Sequence, residues 1–375
     1  MLERSKPRHL EPFIAQDLAR KMVFLAGPRQ VGKTTLARRL LGKRENAYLN
    51  WDVAAHRTRI LAQDLPVSPL WVFDEIHKYK SWRGYLKGLF DAQGRDQKIL
   101  VTGSAKLDFY RYGGDSLQGR YHLWRMHPLS VAELGMTHPK DLDSLLALGG
   151  FPEPFFSGSE RVARRWSREY RTRLVREEVA GVERISDLGN MELLAMRLPE
   201  LVGSPLSINA LREDLQLAHK TVANWLDIFE RLYGIFRVQP FGTPKIRAVK
   251  KERKHYHLDW TLVASPGARF ENLVGVHLLK WVSFQQDSEG RELELRYFRD
   301  VDGREVDFVV TENRKPLLAV ECKLADEPAN KGLSYFKHKF PACECIQVAA
   351  SGTRDSMTAE GIRFTPALKF LGTLV

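Results

Sequence analysis

The sequence predicts an α/β protein, and three observations lead there. Between residue 22 and about residue 134, short apolar runs alternate with amphipathic ones, placing strands at 22–26, 47–50, 70–73, 98–102 and 121–126. The first strand runs straight into a glycine-bearing loop and then a helix. From Arg269 onward a helix is followed by several short strands, so a second α/β segment closes the chain. Strands that are apolar throughout and separated by helices belong in a buried parallel sheet.

A chain of 375 residues is expected to hold two or three domains. The turn-rich Gly149-Gly150-Phe151-Pro152-Glu153-Pro154 ends the first alternating pattern, giving expected domains at 1–150, 151–262 and 263–375. With 43% hydrophobic and 28% charged residues, each can bury a core. No internal repeat or low-complexity tract appears, which argues against a solenoid.

The net charge is +12, and a surface this basic attracts polyanions, nucleic acid first. A membrane reading lacks both a spanning run of about 20 apolar residues and a basic amphipathic anchor. The opening MLERSKPRHLEPF has no apolar secretion signal, so a cytoplasmic protein is expected. Cys322, Cys343 and Cys345 lack the spacing of a zinc site or a disulfide framework and read as buried strand residues.

Gly27-Pro28-Arg29-Gln30-Val31-Gly32-Lys33-Thr34 matches GxxxxGKT, and Thr35 continues into the helix TTLARRLL. The glycines let backbone N–H groups turn inward around phosphates, and the helix N-terminus adds positive potential. Lys33 is then expected to reach the outer phosphates and the Thr34 hydroxyl to ligate magnesium, so the cofactors expected are ATP and Mg²⁺. About 40 residues on, Leu70-Trp71-Val72-Phe73-Asp74-Glu75 ends an apolar strand on two carboxylates. Asp74 is expected to hold the magnesium and Glu75 to orient the attacking water.

With these residues in view, the chain resembles the AAA+ ATPases: DEIHKYKSW looks like their Walker B region and VTGSA like their sensor 1 region. The resemblance implies that Ser104 or Thr102 is sensor 1. It also implies that Arg120, in LQGRYHLW, is an arginine finger reaching a neighbouring subunit's phosphate, hence a homo-oligomer. Asn50 reads as a strand-end residue, with a polar relay to Glu75 as the alternative.

In the middle of the chain, Arg161, Arg164, Arg165 and Arg168 fall on one face of a helix with Trp166 on the other. Residues 207–215 and 219–226 resemble a helix-turn-helix, packed by Leu211, Leu215, Val222, Leu226 and Phe229, with Lys220, Thr221 and Asn224 facing outward. Residues 245–254 then carry six cations against one acid, which reads as the basic wing of a winged-helix domain on a DNA backbone. Winged helices also serve as packing modules in ATPases.

Near the C-terminus, Glu305-Val306-Asp307-Phe308-Val309-Val310 and Leu318-Ala319-Val320-Glu321-Cys322-Lys323 read as adjacent strands. Alternation puts Glu321 and Lys323 on one face, where Asp307 and Glu321 can share a divalent metal and Lys323 can hold the attacking water. This arrangement is similar to the PD-(D/E)xK nucleases, with Val306 in place of the motif's proline and Glu271 matching an additional helical metal ligand. A surface hairpin with cross-strand pairs, or an inactive nuclease-like fold, is the alternative.

Taken whole, the chain looks like a widespread group of bacterial and archaeal AAA+ ATPases. That resemblance implies a P-loop AAA+ parallel-sheet domain, a winged-helix domain and an α/β PD-(D/E)xK-like domain. It implies an ATP-controlled protein acting on DNA through a magnesium-dependent nuclease. A nucleotide-gated switch or scaffold that docks a protein partner, and a DNA-binding regulator, are the alternatives.

Overall fold

The structure is a computed structural model that describes residues 6–93, 96–103, 117–179, 187–242 and 252–375. The chain divides into two compact units, Met1–His127 and Pro128–Val375.

The first unit is built on five parallel strands: β1 (Met22–Ala26), β2 (Tyr48–Asn50), β3 (Leu70–Asp74), β4 (Lys98–Thr102) and β5 (Tyr121–Arg125). Their spatial order is β2-β3-β4-β1-β5. All five residues of β1 and of β3 are buried, as expected of strands covered on both faces. The expected strand limits hold to within a residue. Ala47 lies in a short 3-10 turn, Glu45–Ala47, that leads into β2.

Strand order matters more for the site than strand length. β4 lies between β1 and β3, and its last residue, Thr102, is in register with Leu25 on one side and Asp74 on the other. In a parallel sheet the loops leaving the carboxyl ends gather along one edge, where ligands bind. The loop after β1, the carboxylates ending β3 and the hydroxyl ending β4 therefore meet.

The second unit opens on Pro128, so the boundary expected near residue 150 falls inside it. Its early residues are held from within: Trp260 Nε1 donates to Leu145 O at 2.9 Å. Gly150 is pressed so close to Trp260 that an added Cβ would sit 2.5 Å from the indole. The arginine-rich helix spans Glu160–Arg173, with Trp166 and Tyr170 buried on the side away from its exposed arginines.

The helices Ile208–Asp214 and His219–Arg231 follow, joined by a turn in which Gln216 has a φ of 53°. Leu211, Val222, Leu226 and Phe229 pack the pair, while Lys220 and Asn224 face outward. Leu215 is half-buried.

The hairpin of β6 (Ile235–Pro240) and β7 (Lys254–His257) was expected in a separate middle domain. It instead joins the C-terminal strands. Gln239 and Pro240 pair in parallel with Arg296 and Tyr297 of β8 (Leu293–Arg299). β9 (Glu305–Glu312), β10 (Lys315–Ala325), β11 (Glu344–Ser351), β12 (Ser356–Met357) and β13 (Ile362–Pro366) complete an eight-stranded sheet. Its order is β12-β13-β11-β10-β9-β8-β6-β7. The 24-residue helix Pro266–Glu289 packs against β7, β8, β9 and β10. Phe298, Val306, Val309, Ala319, Leu333 and Phe336 form one core under the helix Lys331–Lys339, and Cys343 and Cys345 are buried in the same core. Cys322, in β10, is only half-buried. Among the described residues no helix is long and apolar enough to cross a membrane.

Candidate functional site

The loop 27–34 turns on two glycines and one strained residue. Gly32 has a φ of 107° and Gln30 a φ of 62°, the left-handed backbone that swings successive N–H groups toward one point. Gly27, at φ 149°, passes so close to the chain leaving β5 that an added Cβ would lie 2.3 Å from Met126 O. Gly27→Ala is therefore expected to destabilise the first unit by about 2–4 kcal/mol, and to weaken nucleotide binding as the loop shifts. A thermal melt read beside nucleotide titration checks this, and a melt unchanged from wild type would refute the close contact.

Lys33 is 8% exposed and bends back over the loop, donating to Gly27 O at 2.8 Å and Pro28 O at 2.7 Å. Its ammonium thus sits inside the curl of the loop, where a phosphate oxygen can replace a carbonyl as acceptor. Arg8 braces the same loop from outside, with its guanidinium donating to Val31 O at 2.7 Å and to His127 O. No motif marks Arg8, because its partners lie 23 and 119 residues away.

Three hydroxyls converge on Asp74. Thr102 donates to Oδ1 at 2.6 Å, Tyr48 donates to Oδ2, and Thr34 donates to Oδ2 at 3.4 Å. Burial, reinforced by the Asp74 carboxylate, pushes the Tyr48 phenol far above its usual range, which keeps it a proton donor. Thr34 makes the longest of the three contacts and is exposed. Its oxygen is therefore free to turn to a cation, and the pair fits the hard, oxygen-lined, partly hydrated site that magnesium takes.

Of the two residues expected as sensor 1, Thr102 is wholly buried against Asp74, and Ser104 lies outside the described residues. Tyr48 was missed because only the pairing of β2 with β3 brings it to Asp74.

Glu75 has a φ of 57°, a conformation rare for a non-glycine residue and common where strain is kept at a working site. Its Oε2 is 3.4 Å from Lys78 Nζ and 3.6 Å from His77 Nε2. Asn50 does not relay to it, since its Oδ1 accepts from the backbone N–H of Asp52 at 2.8 Å. Arg120 pairs with Asp91 through two bonds of 2.9 and 3.1 Å. It precedes β5 at the end of the sheet opposite the loop, roughly 16 Å of strand away. It does not approach the P-loop of its own chain.

In the second unit the expected strands form, and Asp307, Glu321 and Lys323 come together. Asp307 Oδ2 accepts the backbone N–H of Cys322 at 2.9 Å, and Lys323 Nζ is 3.1 Å from Glu321 Oε1. Asn330, from the start of the next helix, also donates to Glu321 Oε1 at 2.7 Å. Asp307, Glu321 and Asn330 line a cleft of about 520 Å³ with Arg304, Glu305 and Lys331.

The metal set expected of Glu271, Asp307 and Glu321 does not assemble. Among the described residues no three His, Cys, Asp or Glu side chains are placed to hold a metal ion. Lys254 stands between two of these acids. Expected among the phosphate-contacting cations of a wing, it is instead fully buried and ion-paired with Glu305 at 2.5 Å, Glu271 at 3.4 Å and Asp307 at 3.7 Å. Of the rest of that run, residues 245–251 lie outside the described residues, and Arg253 is half-buried. Burial first, and then the Asp307 charge, push the Glu271 carboxyl up to about 7 and that of Glu321 up to about 8. Among the described residues Glu321 Oε2 is buried with no hydrogen-bond partner.

Residues 19–135 match the AAA domain family, whose span covers the P-loop, Asp74, Thr102 and Arg120. The first unit is a P-loop ATPase domain of the AAA type. Residues 139–267 and 266–370 match two families described as domains of unknown function, DUF8612 and DUF4143. The chain is also similar to uncharacterized proteins of Mycobacterium tuberculosis and Mycobacterium bovis. Each is 24% identical over 375 residues, covering 90% of this chain and 83% of the relative.

Looser likenesses run to solved structures. A RuvB variant of Thermotoga maritima has 18% identity and a TM-score of 0.29, covering 64% of this chain and 94% of that one. A signal transduction ATPase with a tetratricopeptide repeat sensor from Pyrococcus horikoshii has 11% identity and a TM-score of 0.24, covering 76% and 47%. Drosophila ORC bound to DNA has 14% identity and a TM-score of 0.22, covering 66% and 92%. Likenesses at these TM-scores carry no functional argument.

Proposed function

We propose that the protein binds and hydrolyses ATP at residues 27–35, and that the nucleotide state controls a DNA-binding second unit. One observation carries the hydrolytic part. The Thr34 hydroxyl and the Asp74 carboxylate face each other across 3.4 Å, backed by Thr102 and beside the strained Glu75. A magnesium ion, held by Thr34 and Asp74, would neutralise charge on the phosphates during transfer. Lys33 then binds the outer phosphates, Glu75 orients the attacking water, and Tyr48 and Thr102 fix the Asp74 carboxylate.

Arg120, which faces away from its own P-loop, is assigned to the phosphate of a neighbouring copy, which makes the working form a homo-oligomer. The +12 charge and the exposed Arg161, Arg164, Arg165 and Arg168 support DNA as the partner. Arg164 and Arg165 are partly neutralised by Glu160 and Glu169, so Arg161 and Arg168 are the stronger phosphate contacts.

A nuclease reading of the second unit draws on Asp307, Glu321 and Lys323. The buried Lys254 weighs against it and favours a unit that binds without cutting.

The test is ATP turnover with and without single-stranded, duplex and branched DNA, in wild type and Arg120→Ala, run beside a mass measurement in ATP. We expect an oligomer, DNA-stimulated turnover, and a loss of about 1000-fold in Arg120→Ala. Full turnover in Arg120→Ala refutes the arginine finger. An ATPase rate indifferent to every DNA form refutes the DNA partner.

A further inference from the structure

We infer that the ammonium group of Lys254 is a built-in cation that fills the acidic centre of the second unit and keeps divalent metal out of it. The observation is a juxtaposition of four buried or half-buried charged groups from three elements. Glu271 comes from the helix Pro266–Glu289, Glu305 and Asp307 alternate onto one face of β9, and Lys254 opens β7. The side chain of Lys254 is 1% exposed, while those of Glu271, Asp307 and Glu305 are 15%, 14% and 29% exposed.

Geometry decides the competition between this ammonium and a metal ion. Magnesium or manganese binds carboxylate oxygens at about 2.0–2.2 Å. An ion bridging Glu271 Oε1 and Asp307 Oδ1 would occupy the space those oxygens now share with Nζ, which is 3.4 and 3.7 Å from them. Two cations cannot occupy one low-dielectric pocket without severe repulsion.

Nor can Lys254 simply swing out. Its backbone is tied into the sheet opposite Val238 and bridged to Pro205, and its ammonium lies over the ring of Tyr297, 5.5 Å from Nζ to centroid. Tyr256, two residues on, donates to Glu271 Oε1 at 2.7 Å and holds that carboxylate toward the lysine. The ammonium replaces one positive charge where a metal would bring two, so three carboxylates keep residual negative charge. Removing the lysine therefore leaves Glu271, Glu305 and Asp307 without the cation between them, and a hard divalent cation is what their uncompensated charge would draw in.

The experiment is a manganese titration of the full chain without nucleotide, followed by electron paramagnetic resonance, and it does not depend on ATP hydrolysis. Wild type is compared with Asp307→Asn, and Lys254→Gln with Lys254→Gln/Asp307→Asn. Manganese bound weakly at the P-loop is common to all four and cancels in each comparison.

We expect wild type and Asp307→Asn to bind the same number of ions. Lys254→Gln is expected to gain one ion, bound at least about 10-fold more tightly than any wild-type ion and lost again with Asp307→Asn. A wild-type ion that disappears in Asp307→Asn overturns the inference, as does a folded Lys254→Gln that gains none. The wild-type comparison needs no lysine variant, so it decides the matter even if Lys254→Gln fails to fold.

Discussion

Lys33→Ala lowers ATP turnover by about 100- to 1000-fold, the loss expected when a preorganised cation at the transferring phosphoryl group is removed. The reason is local. Lys33 is the cation that the loop curls around, held at 2.8 and 2.7 Å by the carbonyls of Gly27 and Pro28. Arg29 is exposed on the loop rather than folded inside it and does not replace that ammonium. The fold survives, because alanine is a good residue at the first turn of the helix Lys33–Leu41, and the two freed carbonyls can take water. Steady-state turnover beside a thermal melt separates loss of chemistry from loss of fold. Turnover within about threefold of wild type would remove the ATPase assignment.

Lys280→Met is expected to destabilise the second unit by about 3–5 kcal/mol, the cost of leaving a buried charge without its partner. For a unit of this size that is a fall in Tm of roughly 10 °C. Lys280 and Glu133 form an ion pair in which each side chain is only 2% exposed. The same ammonium donates to Pro128 O and to Ser130 Oγ, both at 3.0 Å. One turn earlier, His277 Nε2 accepts the Val131 N–H at 3.1 Å, so one helix face fastens the start of the unit.

Removing the lysine strands Glu133 in the interior, whereas removing both charges does not. Lys280→Met combined with Glu133→Leu should therefore recover most of the loss. Chemical denaturation of the three proteins checks this. A single variant within about 1 kcal/mol of wild type would show that the pair contributes little.

This ion pair also shows where reading the sequence stops. Glu133 and Lys280 are 147 residues apart, and nothing in either neighbourhood marks the other. Residues 128–150 follow the alternating first half of the chain and were expected to close the first domain. Their packing against Lys280, His277 and Trp260 places them in the second unit. The hairpin β6–β7 was likewise assigned to a middle domain on its cations and its helical neighbours. Two residue pairs with β8 draw it into the C-terminal sheet.

Lys254 is the clearest case. In a run of six cations it reads like the other five, and only the sheet it joins reveals that it is buried among Glu271, Glu305 and Asp307. Of the residues expected to hold a metal, Glu271 and Asp307 are both drawn to the Lys254 ammonium, while Glu321 pairs with Lys323.

What the sequence determined by itself was whatever depends on rules acting over a few residues. The P-loop is legible because its eight residues set their own backbone, with Gly27 and Gly32 at positive φ and Lys33 opening a helix. Asp74 and Glu75 are legible because an apolar strand must end somewhere, and acids mark the end. Glu321 and Lys323 share a face by the period of a strand alone.

The tertiary structure decided which of these groups meet, and with what charge between them. It placed β4 between β1 and β3 and so put Thr102 on Asp74, set Tyr48 and Arg8 around the nucleotide site, and turned Arg120 away from its own P-loop. It also buried Lys254 in the acidic centre. Each of those outcomes depends on the pairing of distant strands and on desolvation. These are properties of the packed chain that no short stretch of sequence carries.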